Sequence, residues 1–184
     1  PRSTLFPYTT LFRSAANGFY RGTRFDWSGV IFHLEANGHS YYGPWFTKRN
    51  PAVRDFVYEG DDIVAGACSS TTGPADEFGP IGYEAAQPGG TFVKIGVGAL
   101  RKPDAAPYEN YRLYEVANPG QWTIRRRADS IDFTQTLPDD GSGFAYVYRK
   151  SVRLVKGKSE MVLFHRLKNT GRQKMETTVY NHNF

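Results

Sequence analysis

A single cysteine, Cys68, stands in a chain of 184 residues, so no internal disulfide can form and the redox compartment is left open. With only four histidines beside that one thiol, the residue set argues against a structural zinc site, which draws on four Cys or His ligands. Long apolar runs are missing too: nothing approaches the roughly 20 residues that a membrane-spanning helix needs. The chain lacks the glycine fingerprints of phosphate loops and dinucleotide-binding turns; Gly96-Val97-Gly98 is too short and lies in a strand-like setting. A sustained apolar period of 3.6 residues is absent, which speaks against a helical fold. There is no internal repeat of fixed period, which speaks against a propeller, and no linker that would divide the chain into two domains.

Excess charge of either sign is also slight. The net charge is +5, and setting aside Arg2 and Arg13 of the opening stretch lowers it by two, to +3. That is too little to argue for a nucleic-acid partner. The densest basic run, Arg125-Arg126-Arg127, alternates faces if it lies on a strand and so makes no single patch.

What the chain does have is aromatic mass, with 13 Phe, 12 Tyr and 3 Trp, within a hydrophobic content of 40% that suffices for a core. From Val30 onward the apolar pattern reads as strands. Two apolar runs flank Asn37-Gly38, a pair favoured in tight hairpins. Residues 90–97 read as a buried strand, and residues 110–118 and 121–128 flank a turn at Asn118-Pro119-Gly120. In residues 130–137, Ile131, Phe133 and Leu137 fall at period two, with Asp132, Thr134 and Thr136 opposite. Residues 144–155 and 159–168 flank Lys156-Gly157-Lys158-Ser159 as a further hairpin, and residues 174–184 form the last strand. Residues 66–90, rich in Gly, Ser, Thr and Pro, read as one long loop, the kind of segment that often carries function. About ten short antiparallel strands imply an all-β sandwich or barrel.

The opening stretch stands apart. Thr4 to Ser14 is apolar and aromatic, yet Pro7 interrupts it and Thr9-Thr10 dilute it, so it makes a poor secretory signal. As a strand it would be short and, with its proline, confined to an edge. All eleven residues resemble, in order, the translation of a common sequencing adaptor. Residues 1–14 are therefore expected to be a cloning or assembly scar, disordered or loosely attached, with residues 15–184 forming the N-terminal part of one domain. The compartment, cytoplasmic or periplasmic, stays open.

The C-terminal third carries a second resemblance. A strand runs into Asn169-Thr170-Gly171, and the next ends on Asn181-His182-Asn183-Phe184. With the preceding hairpin and the strand at Gly120-Gln121-Trp122-Thr123-Ile124, this order resembles the aldose 1-epimerase (galactose mutarotase-like) family across residues 92–184. The first hairpins of residues 20–46 fit the same fold more loosely. The resemblance implies an antiparallel β-supersandwich that continues past Phe184; the present chain would then be poorly soluble by itself, with strand edges uncovered.

Members of that family interconvert sugar anomers. One group takes the proton of the anomeric hydroxyl while another protonates the ring oxygen, and histidine suits the second task because it exchanges protons near pH 7. The resemblance places His182 as the acid beside Asn181, with the base beyond residue 184, so the present chain by itself is expected to be inactive and any epimerase activity to belong to a longer parent. It implies a small sugar or sugar phosphate as ligand, no cofactor and no metal, and neither nucleic acid nor membrane as partner.

The sequence departs from the family in two places. Where a second histidine is usual it has Lys94, Arg101 and Lys102, cationic donors suited to an acidic or phosphorylated sugar, or else ordinary turn charges before Pro103. Where an arginine motif is usual it offers Arg21, Arg24 and Asp26, of which Arg24 and Asp26, two apart, would share one face on a strand and grip hydroxyls or pair with each other. Glu77, beside Phe78 in the long loop, is a further candidate for a sugar site. His165 shares an apolar alternating set with Met161, Leu163 and Leu167 and reads as a core or interface histidine. His33 and His39 flank a hairpin and have no assigned role. Without a second histidine, a non-catalytic carbohydrate-binding domain or a structural sandwich is the alternative to an epimerase.

Overall fold

The computed structural model of the chain describes residues 4–7, 20, 22–42, 46–71 and 73–182, and for residues 4–7, 32 and 33 the backbone alone. Among these residues there are fifteen strands and no helix. Strands β1 (Thr4–Pro7), β2 (Ile31–Ala36) and β3 (His39–Tyr42) form an antiparallel sheet in that order. A second sheet holds β4 (Lys48–Arg49), β5 (Phe56–Glu59) and β6 (Asp62–Ala65), with β6 in the middle. Strand β7 (Ala75–Phe78) is followed by the sheet of β8 (Thr91–Lys94), β9 (Gly98–Arg101) and β10 (Val116–Asn118). Four longer strands, β11 (Gln121–Arg126), β12 (Ser130–Leu137), β13 (Tyr146–Leu154) and β14 (Met161–Asn169), make an antiparallel sheet in chain order. The last strand, β15 (Val179–His182), returns to pair with β7.

The all-β, sandwich-like fold read from the sequence is therefore what the chain adopts, with several refinements. One pairing, β4 with β6, is parallel. The Asn37-Gly38 hairpin forms as expected, both residues taking positive φ (54° and 78°), the requirement of a type I′ turn. The turn at Asn118-Pro119-Gly120 is no hairpin: β10 pairs with β9 and β11 with β12, so the chain steps there from one sheet to the next. Residues 66–90 are not one loop, because β7 and a bridge from Ile81 to Val93 lie within them. Thr4–Pro7 pairs along β2 as an edge strand, the position in which Pro7 is tolerated. Residues 8–14, Arg21 and Asn183-Phe184 lie outside the described residues.

Strand alternation decides where the core sits. On β12, Ile131, Phe133, Gln135 and Leu137 are buried, and on β13 so are Tyr146, Tyr148, Lys150 and Val152. These inner faces pack on Phe78, Ile81, Val93, Ile95 and Ala99 of the next layer and on Ile31 from the first sheet. That next layer is covered on its other side as well. Phe92 and Leu100 point away from β12 and β13 into a second core with Phe25, Trp27, Tyr83 and Tyr114. There Tyr83 meets Phe92 edge-on at 4.8 Å, and Tyr108 stacks on Tyr114 at 5.4 Å, geometries that add to simple area burial.

Two polar side chains sit in the buried apolar rows of β12 and β13. Gln135 is held at both ends of its amide: its Oε1 accepts from the Gly96 amide (3.1 Å) and the Tyr146 hydroxyl (2.6 Å), and its Nε2 donates to the Pro119 carbonyl (2.9 Å). Lys150 is buried between two carboxylates, 2.5 Å from Asp76 Oδ2 and 3.4 Å from Asp26 Oδ2. Removing the ammonium alone would strand both carboxylates. Lys150→Ala is expected to cost on the order of 3–5 kcal/mol in urea denaturation, whereas Lys150→Met with Asp26→Asn and Asp76→Asn should recover most of that loss. Equal midpoints for Lys150→Ala and the unaltered chain would show that the ion cluster stabilises nothing.

Candidate functional site

The pairing of β15 with β7 sets the site. Tyr180 lies opposite Glu77 and His182 opposite Ala75, while Asn181 lies opposite Asp76. Paired residues share a face, so Glu77, Tyr180 and His182 project to one side and Asp76 and Asn181 to the other. Sequence spacing alone could not show this, because β7 and β15 are about a hundred residues apart.

On the first side, the segment leading into the core brings Arg24 and Phe25 against the strands. The Tyr20 hydroxyl oxygen accepts from the amides of Arg24 (3.1 Å) and Phe25 (3.0 Å) and fixes that segment. Arg24 Nε donates to Glu77 Oε2 at 2.8 Å, with both side chains largely covered. The guanidinium lies over the rings of Phe25 (4.6 Å) and Tyr111 (4.7 Å), an arrangement that holds a cation between aromatic faces. The His182 ring packs 5.3 Å from Phe25 and 5.7 Å from Tyr180. Burial, and then the positive charge of Arg24, lower the His182 pKa below its ordinary 6.5 against the opposing pull of Glu77 and Asp55. Both effects favour the uncharged imidazole. Tyr111 also borders a depression of about 380 Å³ shared with Arg54, Cys68, Glu109 and Arg112. Neither Arg24 nor His182 lines that depression; Arg24 reaches it through the Tyr111 ring.

On the second side is the ion cluster. Ser28 donates its amide and hydroxyl to Asp26, and Asn181 Nδ2 donates to Asp76 Oδ1 at 2.8 Å. Tyr148 donates its hydroxyl to Asp26 Oδ2 (2.9 Å) and stands 3.0 Å from His165 Nδ1. Because the single phenolic proton is directed to Asp26, His165 meets the oxygen as a donor. Burial raises the Asp26 pKa beyond what Lys150 and Ser28 offset. Burial also acts on Asp76, but the charge and hydrogen bond of Lys150 and the Asn181 amide outweigh it and hold the carboxyl below its ordinary value.

The sequence-based candidates thus separate. Arg24, Glu77 and His182 share one face, and Asn181 lies on the reverse of the same strand pair. Arg24 and Asp26 are not on a strand and do not share a face; Arg24 pairs with Glu77 and Asp26 with Lys150. Lys94 is 0% exposed, its ammonium donating to the Phe78 carbonyl 5.4 Å from the Tyr108 ring, so it holds no ligand at the surface. Arg101 lies on β9, bonded to the Gly89 carbonyl and Glu115. Lys102 is buried against Tyr83, donating to its carbonyl at 3.0 Å. His165 belongs to the ion cluster and is partly exposed, a role that its apolar alternation does not announce. Asp76, Tyr148 and Lys150 were not among the candidates. Among the described residues, no group of three or more His, Cys, Asp or Glu is placed to hold a metal.

No family model, curated protein or solved structure matches this chain.

Lys94 supplies a direct test of this arrangement. Burial, opposed by the charge of Glu77 and reinforced by that of Arg24, brings its pKa down to about 8 from 10.5. The unfolded chain therefore holds one more proton than the folded chain between those values, and stability from this group rises with pH across that window. Lys94→Met is expected to raise the Tm at pH 7 and to flatten the stability profile between pH 8 and 10.5. A steeper alkaline rise in the variant would contradict the burial of this ammonium.

Proposed function

We propose that the chain is a carbohydrate-binding sandwich of the aldose 1-epimerase type, with its sugar at the Arg24–Glu77–His182 face. The observation that carries this reading is the convergence of a carboxylate, an imidazole and a guanidinium on one side of the β7–β15 pair, beside the rings of Phe25, Tyr111 and Tyr180. The polar groups suit a sugar because guanidinium and carboxylate exchange hydrogen bonds with hydroxyls, and the rings of Tyr111 and Tyr180, which keep exposed surface while Phe25 is buried, suit the apolar face of a pyranose. In the catalytic form, Glu77 accepts the anomeric hydroxyl proton as His182 gives a proton to the ring oxygen. The ring opens, rotates and recloses, and both protons return.

A second reading has an observation in its favour. The lowered pKa of His182 leaves little imidazolium at pH 7 to act as the acid. A domain that binds sugar without exchanging its anomers needs no acid at all.

Polarimetry on freshly dissolved α-anomers of neutral and phosphorylated sugars distinguishes the two. The catalytic form predicts exchange faster than buffer, lowered roughly 100-fold or more by His182→Gln or by Glu77→Gln. Its kcat/KM should fall about tenfold per pH unit above an apparent pKa below 6.5, as the imidazolium is lost. Exchange at the buffer rate across the panel, with sugar binding seen by calorimetry, would establish the non-catalytic form. Failure to bind any sugar would remove both.

A further inference from the structure

The outer face of the long sheet is strongly basic, which the sequence order conceals. Cross-strand register sets Thr123, Thr134, Arg149 and Arg166 in one row over the four strands. The next row is Arg125, Asp132, Ser151 and Phe164. Arg153 follows on β13 and Lys168 lies at the other end of β14, so four arginines and a lysine share a face with the single strand carboxylate of Asp132. That carboxylate already has a partner in Arg127. Arg149 and Arg166 are directly opposed, an arrangement that destabilises a sheet unless an anion sits between them. The described residues offer neither an ion-pair partner. Two adjoining depressions, of about 440 Å³ and 620 Å³, share Asp132, Ser151 and Phe164 and make one groove whose lining carries Arg125, Arg127, Arg149 and Arg153 against Asp129 and Asp132; Arg166 flanks it, opposite Arg149. Phe164 is 57% exposed at its edge.

We propose that this groove binds an anionic polysaccharide, one bearing carboxylate or sulfate groups along a chain of sugar rings. Its guanidinium groups present the fork that such anions take in two hydrogen bonds. Thr123, Thr134 and Ser151 supply hydroxyls that both donate and accept, and Phe164 covers an apolar ring face. At about 4.8 Å per strand step, the four strands span about 14 Å, room for several monosaccharide units. Two features favour this polymer over nucleic acid. Single strands bind on successive aromatic platforms, and here one exposed ring serves the whole groove. Asp132, in the middle, accepts from the free hydroxyls that a sugar chain carries and a DNA backbone lacks, while its pairing with Arg127 offsets its repulsion of the polymer's anions. The groove lies on the reverse of the sheet from Tyr148 and Lys150 and does not depend on the reading of His182.

The test uses the whole chain and fluorescently labelled oligogalacturonate, with a neutral malto-oligosaccharide and oligo-dT of matched charge as comparisons, followed by anisotropy at about 150 mM salt. The uronate oligomer should bind, with affinity falling as salt rises, and the neutral oligomer should not. The paired change Arg149→Ala with Arg166→Ala should lower affinity more than tenfold, and Phe164→Ala several-fold. Removing two cations elsewhere, Arg101→Ala with Lys174→Ala, should leave it within about twofold. All these side chains are exposed, so each variant should still melt cooperatively, with the Arg149–Arg166 change melting no lower than the unaltered chain because like charges no longer face each other. The proposal is overturned if both paired variants lose affinity equally, if the neutral oligomer binds as well, or if oligo-dT binds more tightly than the uronate. It is equally overturned if the uronate does not bind. The polarimetric outcome is independent of every one of these results.

Discussion

The buried ammonium of Lys150 is the constraint around which the rest of the chain is arranged. It reaches Asp26 across 124 residues of sequence and Asp76 across 74. Through those carboxylates it ties the segment before β2, the short strand β7 and the long strand β13 into one unit. Asn181 and His165 attach β15 and β14 to the same cluster. A charge taken out of water is costly unless every partner is in place, so the cluster admits few alternative registers. Slipping β13 by one residue would put Arg149 where Lys150 stands and turn the tyrosines outward. Ion pairing here thus contributes specificity in addition to whatever stability it brings.

The tolerance around the cluster is small. Gly96 holds φ of 78° in the turn between β8 and β9, and a Cβ there would come within 2.2 Å of Asp26 Oδ1. The Gly96 carbonyl also accepts from the Trp27 amide at 3.0 Å, and its amide donates to Gln135. Glycine at this position lets the backbone of one layer approach the carboxylate of the next, so that two cores on opposite faces of the β8–β9 sheet share one polar seam. The same turn sends Lys94 to one side and Ile95 to the other.

The parts of the fold that depend on local signals were legible in the sequence. The period-two pattern of β12 and the Asn37-Gly38 hairpin need only neighbours a few residues away, and both appear where they were read. The hairpin of β13 and β14 did too. Lys150 was not legible as a core residue, because a lysine among Tyr148, Arg149 and Arg153 looks like one more solvated charge; its partners are far away in sequence and carry no local mark. Arg24 and Asp26 misled for the opposite reason. Their spacing implies a shared face only on a strand, and residues 22–30 adopt none, so adjacent side chains enter different sites. The joining of Glu77 to His182 required the pairing of β7 with β15, which no local pattern specifies.

Strand alternation also explains why one chain of modest net charge presents such different electrostatic environments. Along β13, Arg149 points outward and Lys150 inward, then Arg153 outward after Val152. The inward cation is neutralised by two carboxylates drawn from elsewhere in the chain. The outward cations receive no such partners, although Glu and Asp are numerous enough in the sequence to supply them. A sheet face meant for a core would not carry four arginines, and one meant only for solvent would gain from interspersed acids. Leaving Arg149 opposite Arg166 is a cost without return unless an external anion completes the row. The register that buries Lys150 therefore also fixes the spacing of the guanidinium groups outside, so the interior ion cluster and the exterior groove are two consequences of a single strand alignment.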